Sequence, residues 1–113
     1  MLQGNCYRAA YDLAAREADI GISKKVELVH GSVILKTGDT AGKSIPHAWV
    51  EIDDVVYDHS NEFKNEFDKA FFYKNSSAEV YARYLPAEAT LQNLKATSYG
   101  PWDELSLSME TNK

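Results

Sequence analysis

Between Cys6 and Ile20 the apolar residues Ala9, Ala10, Leu13, Ala14 and Ala18 recur at three- and four-residue steps, while Arg8, Asp12, Arg16 and Asp19 fall mostly elsewhere. That is the pattern of an amphipathic helix. Asn5 in front of it suits an N-cap and Gly21 behind it a C′ residue, so both ends have partners for their orphan backbone groups. Lys25 to Leu35 reads as β structure, with Val26, Leu28, Val33 and Ile34 available to a sheet face. A polar loop from Lys36 to Ser44 holds Gly38 and Gly42, and Pro46 is expected to begin a strand because a proline inside a central strand removes a ladder donor. Pro46 to Ile52 and Val55 to Asp58, joined through Asp53 and Asp54, predict a hairpin.

Farther on, Glu62 to Tyr73 is aromatic and charged, with Phe63, Phe67, Phe71 and Phe72 spaced mainly by four. It predicts a short helix or an irregular aromatic segment, with the phenylalanines packing rather than forming a ligand cage. Ala78 to Leu85 alternates as a strand does, and Pro86 suits the first position of a helix running to about Ala96, with Ala87, Leu91 and Leu94 on one face. Gly100-Pro101 is a breaker, Tyr99 to Trp102 is expected to dock back on the domain, and the polar tail after Leu107 need not be ordered. Together these elements predict an α+β fold. The N-terminal helix packs on an antiparallel sheet containing both strands of the hairpin, and helical material after Leu85 covers another surface.

Composition narrows the function. A chain of 113 residues with 44% hydrophobic and 26% charged content fits one domain, here residues 1–107 with 108–113 as a tail. A net charge of -5 and a pI near 5.1 give no broad basic footprint, which argues against nucleic acid as a partner. The apolar runs are too short to span a bilayer and the first residues lack a signal-peptide pattern, so a cytoplasmic location without membrane association is expected. Cys6 is the only cysteine. It forms no intramolecular disulfide, in keeping with a reducing compartment, and leaves a thiol in need of an explanation.

The hairpin suggests one. With a two-residue turn at Asp53-Asp54, Ile52 faces Val55, Trp49 faces Asp58, and His47 lies diagonally across from Asp58 on a face shared with Trp49, Glu51 and Val56. A diagonal pair is roughly 7–8 Å apart at the backbone, a gap that an imidazole and a carboxylate can close. Cys6, at the start of the helix, meets unpaired backbone N–H groups and the positive end of the helix dipole, which favour thiolate over thiol. In this reading Cys6 is the nucleophile, His47 its base and later the acid for the leaving group, and Asp58 the group that fixes the ring. The backbone N–H of Cys6 and the side chain of Gln3 would hold the oxyanion.

These residues, Gly4-Asn5-Cys6-Tyr7 opening a helix, then His47-Ala48-Trp49-Val50-Glu51 and Val56-Tyr57-Asp58, resemble the transglutaminase-like branch of the papain-like cysteine protease superfamily. The resemblance covers roughly residues 3–60 and includes the order Cys, His, Asp. It implies a cysteine helix packed against antiparallel strands that carry the histidine and the aspartate, and cysteine-dependent acyl transfer, with peptide or protein amide hydrolysis as the first choice of reaction. It implies no organic cofactor and no metal. Only five residues precede Cys6, whereas the family core commonly has more, so the substrate groove is expected to be open or built differently, with a protein partner as one way of completing it.

Blander readings stand beside it. A free cysteine among alanines is ordinarily a small buried hydrophobe. Trp49 is a core residue or, in the functional reading, a groove wall that touches substrate. Glu51, near a surface turn, is expected to be solvated. The same fold without turnover would be a binding or regulatory module. A zinc site joining His30 and His59 to Cys6 and His47 lacks any CxxC or HxxxH spacing.

Overall fold

The computed structural model describes residues 4–20, 25–36, 38, 41–58, 65–103 and 107. Helix α1 (Gly4–Ile20) precedes strands β1 (Val26–Ile34), β2 (Ser44–Ile52), β3 (Val55–Asp58) and β4 (Asn65–Asp68). Helix α2 (Lys69–Ser76), strand β5 (Glu79–Tyr84) and helix α3 (Pro86–Ala96) follow. The five strands form one antiparallel sheet in the order β4-β3-β2-β1-β5. The expected α+β class therefore holds, with an N-terminal helix on an antiparallel sheet.

Each face of the sheet has its own core. On one face Cys6, Tyr7, Ala10, Leu13 and Ala14 of α1 pack with Leu28, Ala48, Val50 and Ile52, and Ala89 of α3 joins them. On the other, Val29, Val33, Trp49 and Val56 pack with Phe72 of α2. Strand alternation divides β2 in this way, sending Ala48 and Val50 to one side and Trp49 to the other. Helix α3 thus shares the α1 side instead of covering another surface. It buries Ala89, leaving Leu91 59% and Leu94 68% exposed, so the expected apolar face of Ala87, Leu91 and Leu94 points away from the core.

The hairpin has the expected register, with Ile52 opposite Val55, Glu51 opposite Val56 and Val50 opposite Tyr57. Asp53 takes φ 54°, a left-handed value that aspartate tolerates in tight turns. Several expectations need correction. Helix α1 begins at Gly4, so Asn5 lies within its first turn instead of capping it, and Gly21 lies outside the described residues. Pro46 sits inside β2, opposite Ser32. It is tolerated because β3 pairs with β2 only from Val50 onward, leaving an edge-like stretch beside the proline. The aromatic segment resolves into an edge strand, β4, followed by α2, whose N-cap Asp68 accepts a hydrogen bond from the Phe71 backbone N–H. Phe67 and Phe72 pack there, Phe71 is exposed, and Phe63 lies outside the described residues. The tail expectation also falls outside them.

Candidate catalytic site

Cys6 is the third residue of α1, within the first turn of the helix. His47 is the fourth residue of β2, on the stretch that β3 does not pair. Asp58 ends β3. The hairpin register brings the last two together: the distance from His47 Nε2 to Asp58 Oδ2 is 2.9 Å. An ionised carboxylate only accepts, so the ring donates through Nε2, and this contact selects its tautomer.

Cys6 completes the group as a second hydrogen-bond partner of the His47 ring. This meeting is not a consequence of strand parity, since His47 shares the face of Trp49 while Cys6 packs in the opposite core. Burial opposes charge on His47, but hydrogen bonds and charge from Asp58 and Cys6 outweigh it and raise its pKa to about 10. At neutral pH the ring therefore holds its second proton. The group is enclosed, with Cys6 1% and His47 8% exposed.

No protein-family model matches the chain, and comparison with curated proteins and with solved structures returned no match. The site therefore rests on its own geometry.

The remaining candidates are placed as follows. Gln3 lies outside the described residues. Trp49 is fully buried in the second core and donates through Nε1 to Glu51 Oε2 at 3.0 Å. Glu51 is only 2% exposed, which corrects the expectation of a solvated carboxylate. It accepts from Arg83 Nη1 at 2.7 Å and from the Tyr73 hydroxyl, and it pairs with Lys69 Nζ at 3.3 Å. Burial pushes this carboxyl up, yet its hydrogen bonds to Arg83, Tyr73 and Trp49 hold it below its ordinary range. Arg83, Lys69 and Tyr73 were missed because they come from β5 and α2, far from Glu51 along the chain; the one available signal was that Glu51 shares a face with Trp49. Among the described residues no cluster of three or more His, Cys, Asp or Glu side chains is arranged to hold a metal ion, and His59 lies outside them. Among the described residues no helix is long and apolar enough to cross a membrane.

Proposed function

We propose that this chain is a cysteine-dependent acyl-transfer enzyme of the transglutaminase-like, papain-like kind, acting on peptide or protein amides. The observation that carries the reading is a single buried imidazole placed against Asp58 at 2.9 Å with Cys6 as its other partner. In the proposed reaction Cys6, its thiol proton passed to His47, attacks the amide carbonyl carbon through sulfur, and the carbonyl π electrons move to oxygen. The Cys6 backbone N–H, in the first turn of α1, supports that oxyanion. Collapse expels the amine, which takes its proton from His47, and leaves a thioester on Cys6. Water then attacks the thioester while His47 accepts its proton, releasing the carboxylic acid and restoring the pair. Asp58 keeps the ring oriented and stabilises the imidazolium throughout.

Burial of Cys6 favours a second reading on the same fold, a binding or regulatory module in which the three residues are structural. Catalysis requires the cover over the sulfur to open for substrate. Alkylation by iodoacetamide at about pH 7 separates the two readings. In the catalytic case Cys6 reacts at least about tenfold faster than in His47→Ala or Asp58→Ala, and a small activated ester leaves an acyl adduct on Cys6 visible by mass spectrometry. A wild-type rate no higher than that of either variant would remove the enzyme reading and leave the module.

A further inference from the structure

Residues 98–103 run back across the α1 side of the sheet and cover His30 of β1, which is 0% exposed. Trp102 lies against the His30 ring at 5.0 Å between centroids and meets Tyr84 of β5 edge-on at 5.1 Å. Tyr7, the neighbour of Cys6, meets the same imidazole edge-on at 4.9 Å. Gly100, at φ 118°, fits so closely that a Cβ there would stand 2.6 Å from His30 Cε1 and 3.3 Å from Tyr7 Cδ1. The segment also grips α1 directly: Tyr99 packs on Tyr11 at 5.1 Å, and the Arg8 guanidinium lies 5.4 Å from the Tyr99 ring centre. It therefore ties β1 to the part of α1 that carries Cys6.

The surroundings of His30 suit a neutral ring. Tyr7 faces it from α1, Tyr84 from β5, and Trp102 and Asp103 from the covering segment, while its strand neighbours are Ala48 and Ala82. Asp103 is the charged group among these, and its Oδ1 stands 3.8 Å from His30 Nδ1, beyond normal hydrogen-bond length. His30 Nε2 has no hydrogen-bond partner among the described residues. An imidazolium here would have an unmet donor inside an aromatic box. Burial accordingly lowers the pKa of His30, with Asp103 opposing part of that effect.

We propose that residues 98–103 form a pH-sensitive strap, docked over neutral His30 and released from α1 and β1 when the imidazole takes up a proton and must regain water. This concerns conformation and holds whether or not Cys6 turns over a substrate. Where the catalytic reading also holds, release loosens the turn that presents the nucleophile.

The indole N–H of Trp102, which donates to the Ser98 carbonyl at 3.1 Å, reports the docked state in a proton–nitrogen NMR spectrum, with Trp49 as internal control and Trp102→Phe for assignment. On acidification from about pH 7.5 to about pH 4.5, the Trp102 signal should leave its docked position in a one-proton transition with a midpoint below about 6.5, while Trp49 stays in place. His30→Phe should abolish the transition. Asp103→Asn should keep it and move the midpoint lower, because the carboxylate favours the charged ring; this arm serves even where His30→Phe does not fold. The strap is overturned by a Trp102 signal that does not move, by a transition unchanged in His30→Phe or lost in Asp103→Asn, or by Trp49 moving with Trp102, which would mean global unfolding.

Discussion

At the scale of single residues, His47 combines two demands that oppose each other. A buried imidazole favours the neutral form, yet Asp58 and Cys6 reverse that preference and place its pKa at about 10. Removing the carboxylate should restore the ordinary order. In Asp58→Asn the ring titration, followed by NMR of its carbon-bound protons, is expected to fall by at least about one pH unit, because the charge-assisted bond worth roughly 1.5–3 kcal/mol is lost. Gly31 is a second residue with little freedom. It lies at the irregularity in the β1–β5 ladder, and a Cβ there would stand 1.9 Å from the Glu79 carbonyl oxygen. Gly31→Ala should therefore cost more than about 2 kcal/mol in urea unfolding, since backbone on both strands must shift to relieve the overlap.

At the scale of elements, Glu51 joins β2 to β5 and α2 from inside the second core. Glu51→Ala leaves Arg83, Lys69, Tyr73 and the Trp49 indole without their shared acceptor, and a loss of roughly 3–5 kcal/mol is expected. Glu51→Gln keeps the shape and should lose less. Helix α3 makes the opposite case. Leu91→Ser and Leu94→Ser should leave the urea midpoint nearly unchanged, within about 0.5 kcal/mol, because both side chains are exposed, whereas Ala89→Leu should cost roughly 1–3 kcal/mol by overpacking the contact with α1. Helical spacing identified an apolar face on α3 but not which face would be covered. Ala89 is small enough to let the helix approach, and close approach proved more useful to packing than leucine volume.

For the whole molecule, two histidines set opposite limits on stability. His30 sits below its ordinary range, so the unfolded chain binds more protons than the folded one as pH falls through about 6.5, and acid destabilises. His47 is raised, so its contribution is complete below about 6.5 and is lost as pH rises through about 10. Stability measured by urea unfolding should therefore be greatest near about pH 6.5 and fall on both sides. His30→Phe should flatten the acid limb and His47→Gln the alkaline limb, the latter by an amount on the order of a few kcal/mol.

Local sequence determined a good deal of this. The spacing of Ala10, Leu13 and Ala14 defined α1, Asp53-Asp54 defined the hairpin register, and that register alone brought His47 to Asp58, because a two-residue turn leaves no freedom in which side chains oppose. Pro86 likewise marked the start of α3. Strand β4 was illegible, since Asn-Glu-Phe-Asp has almost no apolar alternation and is held at the sheet edge by backbone pairing with β3. The approach of Cys6 to His47, the burial of Glu51 and the closure of residues 98–103 over His30 were decided by tertiary structure. Each joins segments far apart in the chain, where a local periodicity can say which face is apolar but carries no information about what will cover it.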